Sequence, residues 1–327
     1  MSSFSRVSRV GAAAMLAAGI ATGAFAQKFP EKPIRVVVPF GAGGMPDVLA
    51  RAVSEKLRVS LGQTIIVDNR TGFGGNIGGD IVAKAEPNGY TLMMSPAGIL
   101  SFNEALYSKM PFDPRTAFAP ISLVAEMNML LVVNAVSPIR SADDMIAAAR
   151  KEPGKLNFSS PGNGSTPHLG MELFQHAAKI KITHIPYKSG GESMVALMGN
   201  QVQGAFDNPP TVLAHIRAGR IRALAYAAKQ RFPLLPDVPT LDESALKGFE
   251  ASSWFGLVAP AKTPQAIVNL LSRETAKALR EPDMEKRFSI DLGVTLSANT
   301  PEQFGAFIRS ESTKWQVLAK AAGIRLD

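Results

Sequence analysis

A glycine-rich loop near the start of the chain has the composition of an anion-binding loop. It runs Pro39-Phe-Gly-Ala-Gly-Gly-Met-Pro-Asp47, after a β-branched run at 34–38 and at the start of a segment with helical spacing of apolar residues. Glycines let main-chain amides approach a ligand closely, and the first turn of a helix offers unpaired N–H groups at the positive end of its dipole. We therefore predict ligand contacts from Phe40, Gly41, Gly43, Gly44, Met45 and Asp47.

Two features of this loop limit its interpretation. A dinucleotide fingerprint would need its third glycine where Pro46 stands, and the Gly-Lys-Ser/Thr of a nucleoside-triphosphate loop is missing. Asp47 is open to two interpretations, because a carboxylate at a helix start can contact a ligand or pair with Arg51 one turn later.

A second loop, Pro161-Gly-Asn-Gly-Ser-Thr-Pro-His168, repeats this design after a predicted strand at 156–160. We predict Thr166 as the N-cap of the helix that follows, with Pro167 at the first helical position. If one such loop projects from each of two domains, two helix N-termini face each other across a cleft. Amides and hydroxyls would then hold a carboxylate, with candidate contacts from Gly164, Ser165, Thr166 and His168.

Two further positions carry polar groups at element boundaries. Asp207 follows a predicted strand at 202–206, where it could hydrogen-bond a ligand hydroxyl or ammonium, or begin the Asn-Pro-Pro turn after it. Ser189 and Glu192 have the spacing of a capping box, which we interpret as a helix start.

Enzyme motifs are missing from the sequence. There is no Gly-x-Ser-x-Gly elbow, no His-Glu-x-x-His and no cysteine, so we expect neither a metal nor a cofactor. Ser165 and His168 are close in sequence, which keeps open an alternative in which the chain is a secreted α/β hydrolase.

Strand-like and helix-like segments alternate along the chain and must position these loops. Strands are predicted at 34–38, 65–67, 90–94, 156–160, 183–185, 202–206 and 221–226, and a longer apolar stretch occupies 124–134. Helices are predicted at 48–61, 142–150, 167–178, 193–198, 268–280 and 301–322. This alternation predicts parallel βαβ units with helices on both faces of a sheet.

The length of the chain and its lack of a flexible linker predict two domains that exchange strands. A body of roughly 300 residues can bury two cores. Extended stretches at 127–133 and 252–259 lack the Gly/Ser content of a tether and would form a hinge of two neighbouring crossings. We assign residues 27–126 and 250–327 to the first domain and residues 127–249 to the second.

The N-terminus predicts export. Arg6 and Arg9, a short apolar run and Ala24-Phe-Ala26 describe a secretory signal peptide over residues 1–26, and hence a periplasmic protein. The net charge is +8, or +6 once both arginines are removed. Because the basic residues are scattered singly, we expect no nucleic-acid partner, and a mild positive field suits a small anion equally well.

The motifs resemble those of the Bug receptors, the extracytoplasmic solute-binding proteins of tripartite tricarboxylate transporters. The resemblance rests on Phe40-Gly-Ala-Gly-Gly-Met-Pro-Asp47-Val-Leu-Ala-Arg51, Gly74-Gly-Asn-Ile-Gly78, Pro87-Asn-Gly-Tyr-Thr91, Gly162-Asn-Gly-Ser-Thr-Pro-His-Leu169, His184-Ile-Pro-Tyr-Lys188, Phe206-Asp-Asn208 and Trp254-Phe-Gly-Leu-Val-Ala-Pro260. It spans essentially the whole chain after the signal peptide.

The resemblance implies a type II periplasmic binding fold, in which two α/β domains joined by crossing strands close on a carboxylate-bearing ligand. It assigns the two glycine loops to the carboxylate, Asp207 to the other polar group of the ligand, and Ser95 and Ala97 to another pocket wall. The implied partners are the membrane subunits of a transporter, or alternatively a sensor kinase, and we expect a monomer. Met45-Pro46 departs from the small or hydroxyl residue of many relatives, which favours a ligand with an apolar or aromatic body.

Overall fold

The computed structural model describes residues 29–322 and residue 325, so the predicted signal peptide lies outside the described residues. The described chain forms a two-domain α/β fold with one sheet in each domain. In chain order the strands are β1 (Ile34–Val38), β2 (Ile65–Asn69), β3 (Thr91–Pro96), β4 (Phe118–Asn128), β5 (Leu130–Asn134), β6 (Asn157–Ser160), β7 (Thr183–Pro186), β8 (Gly204–Asp207), β9 (Ile221–Tyr226), β10 (Ser252–Pro260) and β11 (Thr295–Leu296). The sheet of the first domain has the order β11-β4-β10-β3-β1-β2, and that of the second has the order β7-β6-β8-β5-β9.

Helices cover both faces of each sheet, as the sequence predicts. They are α1 (Met45–Leu61), α2 (Asn76–Ala83), α3 (Asn103–Leu106), α4 (Ala142–Lys151), α5 (Thr166–Ala178), α6 (Gly190–Met198), α7 (Pro209–Arg217), α8 (Gln265–Leu279), α9 (Pro282–Met284) and α10 (Pro301–Ala322). A 3₁₀ turn occupies Phe73–Gly75, and π-helical turns occupy Gly98–Phe102 and Glu285–Ile290. No helix in the described ranges is long and apolar enough to cross a membrane.

The helical faces that pack on the sheets follow the spacing of apolar residues. On α1, Leu49, Val53 and Leu57 recur every four residues and are fully buried against the first sheet. Each such side chain stabilises the fold by about 1.5–3 kcal/mol. In the second domain α4 and α5 cover one face of the sheet, whereas α6 and α7 cover the other.

Each sheet contains parallel pairs, as the sequence predicts, together with antiparallel strands that were not predicted. β1 pairs in parallel with β2 and β3, and β6 with β7 and β8. β10 runs antiparallel to β3 and β4, and β5 runs antiparallel to β8 and β9. β5 and β10 begin beside the cleft, where the chain enters each domain. β3 and β8 end beside the cleft, so they run in the direction opposite to β10 and β5.

The chain crosses between the domains at two adjacent segments. β4 ends at Asn128 and β5 begins at Leu130, so the longer apolar stretch at 124–134 divides at Met129 into strands of different sheets. The return crossing enters β10 beside Ala251, whose carbonyl accepts a hydrogen bond from Met129 N–H at 3.1 Å. Ala251 N–H in turn donates to the carbonyl of Ala227 at 3.1 Å. The two crossings are therefore tied to each other by main-chain hydrogen bonds.

Candidate functional site

The first glycine loop lies between the carboxyl end of β1 and the start of α1, and Asp47 holds its shape. One carboxylate oxygen of Asp47 accepts hydrogen bonds from Gly43 N–H and from Arg51 Nε, both at 3.0 Å. Burial raises the pKa of Asp47, but the hydrogen bonds from Arg51 and Gly43 outweigh it and hold this pKa below its usual value. Gly43 has a φ of 82°, a conformation that favours glycine. Of the two interpretations of Asp47, the geometry favours an ion pair that shapes the loop.

Main-chain donors of this loop remain free. Gly44 is the N-cap of α1, and the N–H groups of Gly41, Gly44 and Met45 have no hydrogen-bond partner within the described residues. Pro46, in the first turn, has no N–H to offer. The loop therefore presents unpaired amides and partial positive charge at one place.

The second loop is shaped by its own side chains, and its N-cap differs from the prediction. Ser165, not Thr166, caps α5, since its Oγ accepts a hydrogen bond from His168 N–H at 3.4 Å. The helix begins one residue earlier than predicted because Ser165 has the extended backbone of a cap, with φ −69° and ψ 153°. Gly164 N–H donates to His168 Nδ1 at 3.1 Å. Thr166 N–H is left without a partner among the described residues.

His168 is a packing residue beneath this loop. Its ring stacks on that of His184 with 3.7 Å between centroids and 11° between planes. His184 Nε2 lies 2.6 Å from Ser160 Oγ. Burial, with a smaller effect of the neighbouring His168 ring, lowers the pKa of His184 to about 3, so this ring is neutral at neutral pH.

One cavity lies between the two loops and joins the domains. Counted to its open mouth, the space between its walls is about 480 Å³. Of the predicted contacts, those lining it are Phe40, Gly41, Gly44, Met45, Ser165, Thr166 and Asp207. The first four come from the first domain and the other three from the second.

The other predicted contacts do not line the cavity. Gly43 and Asp47 stabilise the first loop, and Gly164 and His168 stabilise the second. Ser95 and Ala97 are buried on either side of Pro96, which lines the cavity in their place. The hydroxyl of Ser95 donates to the carbonyl of Pro96 at 3.0 Å.

The cavity also contains residues that sequence reasoning did not assign to a ligand. They are Pro46, Pro96, Pro161, Pro167, Ser189, Gly190, Asn208, Thr211 and Phe255.

Ser189 caps α6 by accepting a hydrogen bond from Glu192 N–H at 3.2 Å. The Glu192 carboxylate accepts from Lys188 N–H, one residue before the N-cap, so the return bond of the predicted capping box is shifted by one residue. Gly190 N–H, like Thr166 N–H, has no partner within the described chain. A third helix start thus adds a hydrogen-bond donor to the cavity. The sequence feature that could have predicted it is the Ser189-Gly190 pair that follows a strand.

Asp207 and Asn208 form the opposite end of the cavity, between β8 and α7. Asp207 Oδ1 accepts from Asn208 N–H at 2.7 Å. Asp207 Oδ2 and Asn208 Oδ1 are buried and have no hydrogen-bond partner among the described residues. Complete burial raises the pKa of Asp207 to about 7, although the Asn208 amide and the nearby Thr211 hydroxyl lower it.

Known proteins share this architecture over almost the whole chain. Residues 49–324 match the family described as "Tripartite tricarboxylate transporter family receptor". Protein BugT of Bordetella pertussis is 37% identical over 310 residues, covering 94% of this chain and 95% of BugT. The structure of R. palustris Rpa4515 with adipate superposes with a TM-score of 0.87 at 34% identity, covering 91% of this chain and all of that one. The structure of the periplasmic binding protein BugD gives a TM-score of 0.86 at 34% identity, with the same coverage.

Proposed function

This chain belongs to the tripartite tricarboxylate transporter receptor family, and from that premise we propose that its cavity captures a small carboxylate-bearing anion. The observation that carries the proposal is the convergence of unpaired main-chain amides from both domains. Gly41, Gly44 and Met45 supply them from one side, and Thr166 and Gly190 from the other. A carboxylate accepts several hydrogen bonds at once, and those to a charged group are the strong ones. An adipate-bound relative supports this class of ligand.

The body of the ligand would be apolar or aromatic. Phe40, Met45, Pro96 and Phe255 line the cavity, together with three further prolines. Among the described residues that line it there is no lysine or arginine. Such walls bury hydrocarbon well, and they leave hydroxyl groups in the middle of a ligand without partners.

Capture would proceed by domain closure, which close contacts between the two domains support. A β-carbon placed on Gly41 would lie 2.7 Å from the carbonyl oxygen of Lys188, and one on Gly98 would lie 3.2 Å from that of Gly164. Leu169 of α5 is buried in the same apolar cluster as Trp254 of β10. The domains are thus in contact on the cleft side, with the hinge strands behind them. We propose the domain boundaries given above, residues 27–126 with 250–327 and residues 127–249.

We further propose that the mature protein is a periplasmic monomer, exported by its signal peptide, whose closed form is recognised by the membrane subunits of a tripartite transporter. The periplasmic BugD supports the location. A sensor kinase that recognises the same closed form is the alternative partner.

Catalysis is not part of the proposal. A hydrolase would need the His168 ring as the base for Ser165. His168 Nδ1 instead accepts from Gly164 N–H, and its Nε2 lies 3.4 Å from Glu172. The ring nitrogens of His168 therefore contact Gly164 and Glu172, and the ring helps to hold the loop in its shape.

A thermal-shift screen of small carboxylates at pH 7.5 tests the proposal. A ligand at 100 times its dissociation constant stabilises the native state by about 2.7 kcal/mol. We expect adipate, benzoate or a related carboxylate to raise the melting temperature in a concentration-dependent way. If none of them does, the cavity is not a carboxylate site and the proposal fails.

A further inference from the structure

We propose that the pole of the second domain opposite the cleft is a basic face that docks on an anionic phospholipid membrane. This pole consists of the loops at 135–141, 152–156, 179–182, 199–203 and 218–220, together with the helix ends beside them. The inference rests on the proposed export of the protein and on none of the contacts of the cavity.

The topology of the second sheet places these loops together. β6 and β7 run parallel to β8, which ends at the cavity, so all three strands begin at the opposite pole. β5 runs antiparallel to β8 and β9, so β5 ends at this pole and β9 begins there. Neighbouring strands lie about 4.8 Å apart, which makes a pole of five strands about 20 Å wide.

Main-chain hydrogen bonds join the loops of the pole to each other. Ala135 N–H donates to the carbonyl of Arg220 at 3.1 Å, which connects the loop after β5 to the loop before β9. Gly154 N–H donates to the carbonyl of Lys181 at 2.9 Å, which connects the loops before β6 and β7. The side chains of these loops are therefore presented on one surface.

Basic side chains that are scattered along the sequence converge on this surface. Its exposed bases are Arg140, Arg150, Lys151, Lys155, Lys179, Lys181, Arg217 and Arg220. In the described part of the chain none of them forms an ion pair, whereas many bases elsewhere do. The acidic residues beside them are Asp143, Asp144 and Glu152. The bases thus outnumber the acids, and the face is positively charged.

Helix ends account for only some of these bases. α4, α5 and α7 end at the pole, and a base near the C-terminus of a helix compensates the partial negative charge of its dipole. Arg150, Lys151 and Arg217 lie in such last turns. Lys155 and Lys181 lie in loops before strands, where this explanation does not apply.

A surface that carries many phosphates in one plane matches this arrangement. The bases come from several loops and are not gathered around one point, so they fit an array of anions better than a single bound anion. The screening length is about 10 Å at 0.1 M salt, so neighbouring bases on the face act together. Each base close to an anionic membrane strengthens binding about fivefold. Val136, which is 82% exposed in the same face, adds an apolar side chain to the contact.

Docking by this pole leaves the cleft directed away from the lipid. The cavity lies at the carboxyl end of β8, and the pole lies at the opposite end of the same strand. A membrane-bound receptor could therefore still exchange ligand with the solution. Its association with lipid would hold it near the membrane subunits of a transporter.

Co-sedimentation with lipid vesicles tests the inference, using the exported protein without any carboxylate so that the result does not depend on ligand capture. At about 50 mM NaCl we expect vesicles of phosphatidylcholine with about 30% phosphatidylglycerol to bind at least about 10-fold more tightly than phosphatidylcholine alone. Raising NaCl to about 300 mM should remove most of this difference. Equal binding to charged and neutral vesicles would overturn the inference, and carboxylate capture would stand.

Two variants with the same loss of charge locate the effect. The face variant combines Lys151→Gln, Lys155→Gln, Lys179→Gln and Lys181→Gln. The control variant combines Lys109→Gln, Lys262→Gln, Lys314→Gln and Lys320→Gln at exposed positions of the first domain. We expect the face variant to bind the charged vesicles at least about 20-fold more weakly than the wild type, and the control variant less than about 3-fold more weakly.

Equal losses in the two variants would show that net charge alone acts, and would overturn the inference. Thermal melting of both variants checks that they are folded. Soluble polyglutamate is the competing probe, since tighter binding of it than of the charged vesicles would assign the face to an acidic protein and overturn the docking on lipid.

Discussion

At the scale of single residues, Gly41 limits how closely the two domains approach. Its α-carbon faces the carbonyl of Lys188 from the other domain, with Ser189 Cβ 3.1 Å from the position of an added β-carbon. The backbone of Gly41 does not have a positive φ, so alanine fits the loop itself. Steric conflict would arise only when the cleft is closed.

We therefore expect Gly41→Ala to weaken ligand binding and to leave the unliganded fold nearly unchanged. Overpacking typically costs 1–3 kcal/mol, which corresponds to about 5- to 150-fold in affinity if it falls on the closed state alone. Calorimetry with the best carboxylate of the screen, combined with melting of the free protein, measures both effects. Gly305→Ala is the control, because an added β-carbon there meets Arg309 Nη1 at an ordinary 3.5 Å. Equal affinity of Gly41→Ala and the wild type would contradict closure at this contact.

Asp207 gives the stability of the protein a specific dependence on pH. Its folded-state pKa of about 7 lies above the ordinary value of 3.8, so the folded protein keeps a proton that the unfolded chain releases. The stability due to the neutral acid is fully present below about pH 4 and is lost as the pH rises through about 7. This difference in pKa corresponds to about 4 kcal/mol at most.

We expect Asp207→Asn to become more stable relative to the wild type as the pH rises from 4 to 8. Urea unfolding of both proteins across this range measures the difference. His184 has a lowered pKa and acts in the opposite direction, since its contribution is lost as the pH falls from about 6.5 towards 3. This contribution is common to both proteins and cancels in the comparison. A difference in stability that does not change with pH would show that Asp207 is ionised throughout.

Which residues could be predicted at this scale depended on local motifs. The glycine loops and Asp207 could be proposed as ligand contacts from their own sequence, because glycine, proline and polar residues at the ends of strands have local structural causes. Phe255 and Pro96 reach the cavity through the pairing of β10 with β3, in which they are opposite each other. Such pairing joins residues about 160 positions apart, and no local pattern reports it.

At the scale of secondary-structure elements, helix starts are the units from which the site is built. α5 begins at the cleft with Ser165 as its cap, and α4 of the same domain begins away from the cleft with Ser141 as its cap. Both serines accept a hydrogen bond from the third helical N–H, at 3.4 and 3.0 Å. They form a natural pair for separating stability from binding.

We expect Ser165→Ala and Ser141→Ala each to lower stability by about 1 kcal/mol, the usual cost of losing a cap. Only Ser165→Ala should also weaken carboxylate binding, because Ser165 lines the cavity and its loop positions Thr166. Denaturant unfolding and calorimetry on both variants provide the comparison. Loss of binding in Ser141→Ala would indicate that the effect on affinity arises from general destabilisation.

The elements themselves were largely predictable, whereas their directions were not. Apolar periodicity identified α1, α5 and α10 because one face of each packs on a sheet. The antiparallel setting of β5 and β10 arises because the chain crosses between domains at both, and this is a property of the whole path. The N-cap of α5 was placed one residue late because Ser165 and Thr166 are both good caps, and only backbone geometry distinguishes them.

At the scale of the whole molecule, two hydrogen-bonded crossings connect domains that meet again across the cleft. Outside the cavity, Gly293 of the first domain packs against Phe232 of the second. The domains can therefore rotate about the crossing segments without separating. We expect the ligand-bound protein to match the described structure in solution scattering, and the free protein to have a larger radius of gyration. Identical scattering curves with and without a saturating carboxylate would argue against closure.

A second space between the domains provides a rival position for an anion. It shares Phe40 and Pro161 with the first cavity and is lined by Gly72–Gly75 on one side and by Tyr187 and Lys188 on the other. A carboxylate held by the ammonium group of Lys188 would lie there, and the free amides of the helix starts would have no part in binding.

A crystal structure of the protein with the tightest-binding carboxylate distinguishes the two positions most directly. We expect a carboxylate group within about 3 Å of the N–H groups of at least one residue from each domain, from Gly41, Gly44 or Met45 and from Thr166 or Gly190. Density for the carboxylate beside Lys188, or contacts to the amides of one domain alone, would contradict the account.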